Sequence, residues 1–287
     1  MMKPRLASLT CALLLALAPL AHAVTLKVAN QGDAVSMDPH SLNESLQLSF
    51  TGNVYEPLVA RDKKLGLVPG LATAWKQTSP TVWRFELRPG VKFHDGAPFT
   101  ADDVVFSFKR VAGDGSDMKS YVSSIKEVRK VSDLVVEIET LTPFPILPDV
   151  LTLVYIMNRA WCETNKAVTP VDRRKGIENL ASFKANGTGP FRVKERQPGA
   201  RTVLVRNFQY WDKVDGNVDE VVFTPIGNDA TRVAALMSGE VQTGLPDVPA
   251  ALQQYRAGRL RIIAVAGSAR DALLPDVPTI DEAAVKG

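Results

Sequence analysis

The residues able to do chemistry between positions 24 and 287 are few, and their spacing assembles no reaction centre. There are two histidines, His40 and His94, and one cysteine, Cys162. No two histidines sit at helical spacing to share a zinc ion, and Cys162 has no second thiol for a metal site or an intramolecular disulfide. His94-Asp95 has the makings of a metal or base pair, but Gly96 follows at once and marks a turn. Asp102-Asp103 reads as paired carboxylates until Thr100 is noticed. That threonine places both in the first turn of a helix, where the positive end of the macrodipole favours them. Gly187-Thr188-Gly189 runs into Pro190 and lacks the strand–turn–helix setting of a phosphate loop. The Asn43-Glu44-Ser45 and Asn186-Gly187-Thr188 sequons carry no weight without a eukaryotic secretory context. No catalytic residue, metal ligand or cofactor is predicted, and an enzyme is not expected.

The elements that would carry a binding site read more clearly. Lys3 and Arg5 precede an apolar run from Leu6 to Leu20, and Ala21-His22-Ala23 supplies small residues around a cleavage point. Residues 1–23 are therefore expected to be a cleavable signal peptide, too short in its apolar part to span a membrane. Cys11 lies inside that run and is expected to leave with it. Val24 to Ala29 alternates as a strand, and Ser45 to Tyr55 carries Leu46, Phe50 and Val54 at helical spacing. Trp83, Phe85 and Leu87 share one face of a strand. A helix follows Thr100, with Val104, Val105, Phe108 and Val111 as its buried stripe. Residues 134–141 alternate again, and an apolar run after Pro148 reads as a helix ending at Cys162, whose thiol is expected to be buried and inert. Phe191–Glu195 and Thr202–Arg206 form a hairpin through Pro198-Gly199. A strand at Val218–Thr224 precedes a helix at Asp229–Ser238, stopped by Gly239. Strands and helices interleave irregularly, which predicts a mixed α/β (α+β) fold.

Of 287 residues, 34 are basic and 31 acidic. Loss of the signal peptide removes Lys3 and Arg5, leaving a net charge near +1. No basic stripe with interleaved aromatics appears, so nucleic acid is not an expected partner.

The ordered motifs carry a resemblance. Pro69-Gly70-Leu71-Ala72-Thr73-Ala74-Trp75, then Trp83-Arg84-Phe85-Glu86-Leu87-Arg88-Pro89-Gly90-Val91-Lys92-Phe93-His94-Asp95-Gly96, then Thr100-Ala101-Asp102-Asp103-Val104-Val105-Phe106-Ser107 resemble the signature region of family 5 extracellular solute-binding proteins, the receptors of peptide and nickel ABC importers. Asn53-Val54-Tyr55-Glu56-Pro57-Leu58, Gly187-Thr188-Gly189-Pro190-Phe191 and Tyr210-Trp211 are similar to that family too. The likeness covers roughly residues 24–242. It implies a periplasmic-binding-protein-like fold in which a two-lobed clamp closes on a solute and docks onto a membrane permease. It also implies that the segment after the first strand, Gly32, Asp33, Ala34, Val35 and Ser36, contributes to the cleft, with Asn53, Tyr55 and Glu56 as further candidates. Trp75, Trp83 and Trp211 are expected in the core.

After Glu240 the pattern changes. Val248-Pro249-Ala250-Ala251-Leu252, Arg256-Ala257-Gly258-Arg259-Leu260-Arg261 and Leu274-Pro275-Asp276-Val277-Pro278-Thr279-Ile280 resemble the receptors of tripartite tricarboxylate transporters. This tail reads as a short helix, a strand at Leu260–Val265, a Pro-rich turn and the start of a helix. The expected organisation is a signal peptide (1–23), a family 5 domain that is mostly the first lobe (24–242), and a fragment of the second receptor class (243–287). The second lobe is expected to be missing. The implied function is a monomeric periplasmic receptor for peptides or similar small solutes of an ABC importer, in a truncated copy. The alternatives are a non-functional fusion remnant and a tricarboxylate-type receptor fragment.

Overall fold

A computed structural model describes residues 23–214 and 216–285, so the expected signal peptide lies, but for Ala23, outside the described residues. In chain order the elements are β1 (Thr25–Asn30), α1 (Ser45–Thr51), β2 (Val59–Arg61), β3 (Leu67–Pro69), β4 (Ala72–Ser79), β5 (Val82–Leu87), α2 (Ala101–Ala112), β6 (Ile125–Ser132), β7 (Val135–Thr140), α3 (Leu147–Val150), α4 (Arg159–Thr164), β8 (Phe191–Gln197), β9 (Arg201–Arg206), β10 (Glu220–Pro225), α5 (Asp229–Ser238), β11 (Thr243–Gly244), α6 (Val248–Arg256) and α7 (Ile280–Val285).

Alternation along β5 and β7 builds an antiparallel sheet of order β4-β5-β7-β6. Phe85 and Leu87 of β5 and Val136 and Ile138 of β7 point to one face, where α2 covers them. Helix α2 starts where Thr100 and Asp103 predict: the Asp103 carboxylate accepts the Thr100 N–H at 2.9 Å. Its buried stripe is Val104, Ser107, Phe108 and Val111, the i, i+3, i+4, i+7 set. Val105 is only half-buried, and Arg110 is buried beside the stripe.

A second, five-stranded sheet has the order β11-β1-β10-β9-β8. Here β1 runs parallel to both neighbours, β10 and β11, while β8, β9 and β10 are antiparallel. Its inner residues Leu204 and Phe223 pack with Phe50, Tyr55, Met157 and Cys162. The two cores are stitched by glycines: a Cβ on Gly187 would sit 1.9 Å from the Val54 carbonyl oxygen, so only glycine permits that approach. His94 works in the same seam, its Nε2 3.0 Å from the Gly189 carbonyl. The turn reading of His94-Asp95-Gly96 therefore stands, with Gly96 at φ +90°.

Two expected elements form differently. The run from Val154 to Cys162 is not one helix. Val154 and Tyr155 are extended and Tyr155 bridges Pro57, because β-branched and aromatic residues favour that backbone. Asn158 then caps the separate α4 by accepting the Trp161 N–H at 2.7 Å. In the tail, Leu260–Val265 makes no ladder; only Val265 bridges Thr279. Val265, Leu274 and Val277 instead form a small cluster with Val248, Leu252 and Tyr255, apart from the two main cores.

Candidate functional site

Strand β1 lies between two parallel neighbours, and its C-terminal end delivers the chain into the segment from Gly32 to Ser36. Asp33, Ala34 and Val35 line a pocket of about 430 Å³ together with Arg173, Glu178, Phe183, Arg196, Pro198 and Gly199. The position outside the C-terminal end of a parallel strand is where open α/β sheets place ligands.

Hydrogen bonds hold the segment from behind. The Gly199 N–H at the β8–β9 turn donates to the Asp33 carboxylate at 2.8 Å, and the Arg196 guanidinium lies 3.5 Å from its other oxygen. Arg196 also donates to the Ala34 carbonyl, and Arg173 to the Val35 carbonyl at 3.3 Å. The Arg196 side chain is wholly buried, its Nη1 donates to Thr202 Oγ1 at 3.0 Å, and its Nε–H has no partner among the described residues. Burial lowers the pKa of this guanidinium, and the facing Asp33 opposes that without cancelling it.

Sequence reasoning missed Arg196. Simple alternation puts it on the same face as the exposed Arg192 and Lys194. A bulge between Val193 and Glu195 adds one residue to the ladder and turns the phase, bringing Arg196 beneath the loop. Arg173 and Glu178, 3.6 Å apart as an ion pair, come from an irregular segment with no periodicity to read.

The other candidates go elsewhere. Gly32 adjoins the segment and packs near Leu46. Ser36 is fully buried; Gln47 Oε1 accepts its N–H at 3.2 Å and the Gln47 amide donates to its carbonyl. Asn53 donates from its side chain to the Ser49 carbonyl at 2.8 Å. Tyr55 is buried in the second core, and burial pushes its phenol well above the usual range. Glu56 is buried too: Tyr210 Oη donates to one oxygen at 2.7 Å and Trp211 Nε1 to the other at 2.9 Å. Burial raises the Glu56 pKa, and those donors partly offset the rise. Arg88 stacks on Trp211 at 3.9 Å, completing a plug that explains the Tyr-Trp pair. Neither Asn53, Tyr55 nor Glu56 lines the pocket. Trp75, Trp83 and Trp211 pack against the first core.

Just beyond Ser36 the segment is anchored by a closed ionic cluster. Arg110 grips Asp38 with two bonds of 2.8 and 2.6 Å and donates to the Ala167 and Thr169 carbonyls. The Val171 and His40 N–H groups add two further donors to Asp38, each at 3.0 Å. Burial would raise the Asp38 carboxyl, but Arg110 holds it below the ordinary range. Arg110 Nη1 also lies 2.9 Å from His40 Nδ1, so Nδ1 must accept and Nε2–H must donate to the Tyr155 carbonyl. His40 is accordingly neutral: burial, helped by Arg110, takes its pKa to about 4. Cys162 borders this cluster, and burial pushes its thiol up to about 12, an inert form.

A profile of the bacterial extracellular solute-binding proteins, family 5 Middle, matches residues 66–273. The match therefore extends through α6 and well into the tail. The periplasmic oligopeptide-binding protein OppA of Salmonella typhimurium is 27% identical over 254 residues, covering 79% of this chain and 44% of that protein. The glutathione-binding protein GsiB of Pectobacterium atrosepticum is 28% identical over 217 residues, covering 74% of this chain and 40% of that protein. Among solved structures, the periplasmic binding protein DppA from Helicobacter pylori in complex with peptide STSA superposes with a TM-score of 0.69 at 27% identity, over 81% of this chain and 48% of that one. The chain spans less than half the length of the curated relatives it matches.

Proposed function

From the premise that this chain belongs to the bacterial extracellular solute-binding proteins of family 5, with their mixed α/β periplasmic-binding-protein fold, we propose that it captures a peptide or similar small solute in the periplasm and serves the permease of an ABC importer. It works as a monomer, by non-covalent binding and release, with no chemical step and no cofactor. The observation that carries this reading is the pocket at the C-terminal end of β1, where Asp33, Ala34 and Val35 present main chain beside charged side chains. Extended backbone suits peptide ligands, because it hydrogen-bonds a main chain without reading side chains. Gly32 borders these contacts. Ser36, held by Gln47, continues the segment inward, while Asn53, Tyr55 and Glu56 are engaged elsewhere in the fold.

Residues 24–242 are proposed as the solute-binding portion, and 243–287 as a segment of separate descent related to tripartite tricarboxylate receptors. The small cluster around Val265, Leu274 and Val277 lies apart from the two main cores, but β11 joins the β1 sheet and the family 5 match runs on to residue 273. Tight capture needs a site that encloses ~70–90% of a small ligand, whereas this pocket is open on one side. Binding to the chain in hand is therefore expected to be weak, with a Kd of about 1 mM, equivalent to about 4 kcal/mol. The test is a titration of tri- and tetrapeptides, glutathione, nickel complexes and dicarboxylates followed by amide NMR shifts. Peptide-induced shifts at Asp33, Ala34 and Val35 are expected. Shifts there with dicarboxylates alone would replace the peptide reading with the carboxylate-receptor one.

A further inference from the structure

The hairpin that joins β2 to β3 turns through Lys63-Lys64-Leu65-Gly66. Leu65 lies there at φ +65° with 71% of its surface exposed. A single exposed leucine is ordinary on a protein surface. One held in the left-handed region is not, because its Cβ crowds the following carbonyl. Glycine stands next to it, yet Gly66 is not the residue that takes the positive φ.

A clamp maintains this arrangement. Asp62 Oδ1 accepts from the Lys64 and Gly66 N–H groups, each at 2.8 Å, and the Leu65 N–H donates to the Asp62 carbonyl at 3.0 Å. Arg61 donates to the Leu65 carbonyl at 2.7 Å and to the Asp149 carboxylate at 3.0 Å, bracing the turn against α3. The polar main chain is thus taken up from within, and the Leu65 side chain is left outside. The charges divide in the same way. Arg61 pairs with Asp149, and Asp62 is spent on the turn, whereas Lys63 and Lys64 are exposed and their ammonium groups meet no acceptor among the described residues.

We propose that this tip rests on an anionic lipid surface, with Leu65 entering the acyl boundary and Lys63 and Lys64 beside the phosphates. Backbone strain held by surrounding bonds is a mark of function, and here it presents one apolar group between two free cations. A bilayer accepts such a convex point without a matching shape, whereas a protein partner would have to supply a hollow for it. The contact is weak, with half-binding at about 1 mM lipid. It is independent of the solute-capture reading.

The experiment uses the chain from Val24 onward, which holds every element of the fold, so that the apolar run of residues 6–20 cannot bind lipid itself. The protein is sedimented with vesicles of mixed phosphatidylglycerol and phosphatidylcholine and, separately, of phosphatidylcholine alone. Binding is expected only with the first, and added salt should reverse it. Replacing both lysines, Lys63→Gln with Lys64→Gln, should weaken binding about twentyfold, near fivefold for each charge. Leu65→Gly should weaken it about tenfold and yet melt no lower than the parent, because glycine relieves the left-handed backbone. A merely structural leucine would move both readouts together. Equal binding to both vesicles, or parental binding by either variant, would overturn the inference, as would a Leu65→Gly protein that melts several degrees lower. Sedimentation with neither vesicle would also overturn it and leave the tip to an acidic protein surface.

Discussion

Two aspartate–arginine pairs lie within one short stretch of chain and have been built for opposite ends. Asp38 and Arg110 are both fully buried, joined by two bonds and surrounded by further partners from the main chain and His40. Asp33 and Arg196 meet at 3.5 Å beside an open pocket, with Asp33 Oδ1 and the Arg196 Nε–H both left without a hydrogen-bond partner among the described residues. The first pair is closed and locks the segment to α2 and to the chain around residue 170. The second is open and leaves room for a third party. The difference teaches that in this molecule residual capacity, and not charge as such, distinguishes a binding surface from an internal fastening.

The sharpest way to break that contrast is Arg110→Met. It strands Asp38 as an unpaired buried charge, which costs about 3–5 kcal/mol in denaturant unfolding. Acid attacks this cluster at His40, and the glycine seam at His94, next. His40 and His94 have pKa values of about 4 in the fold, whereas unfolded histidine titrates near 6.5. Between those values the unfolded chain binds more protons, so stability falls as pH drops from about 6.5 to 4. Each histidine contributes up to about 3 kcal/mol of that loss. Glu56 and Asp103, whose pKa values are raised, oppose the trend at its lower end. Unfolding of the parent and of His40→Gln across this range checks the sign, and a flat profile in the parent would contradict it.

For the open pair a smaller effect is expected. Arg196→Met should cost only about 1–2 kcal/mol, because Asp33 is partly solvated once its partner is gone. A loss as large as that of Arg110→Met would erase the distinction between the pairs. The smallest signal comes from Cys162, which borders the closed cluster. Native protein should leave it unmodified by a thiol reagent and denatured protein should expose it, read by mass spectrometry.

Much of the framework was legible in the sequence because its signals are local. Thr100 and Asp103 announce the start of α2, Gly239 at φ +77° ends α5, and Trp83, Phe85 and Leu87 show their strand by alternation alone. The site was legible only in part. Asp33, Ala34 and Val35 came from family likeness and do line a pocket, but the same likeness brought in Tyr55 and Glu56, which are taken up within the fold. Arg196 was hidden by a bulge, and Arg110 by distance, since nothing near position 110 signals a partner at position 38. Long-range pairing leaves no periodic trace, and the apolar run at Val154 misled because periodicity cannot separate a short helix from extended chain.

The placement of β1 has a consequence for how the molecule is made. Thr25, near the start of the described chain, takes its register from Glu220, 195 positions later, and Val28 from Thr243. The loop that forms the pocket therefore cannot settle until residues 220–244 have been synthesised. Contacts of such high sequence separation slow folding, so β1 and its loop stay open while the β4–β7 sheet is already able to close. A protein interrupted before residue 220 would hold a formed antiparallel sheet and no pocket.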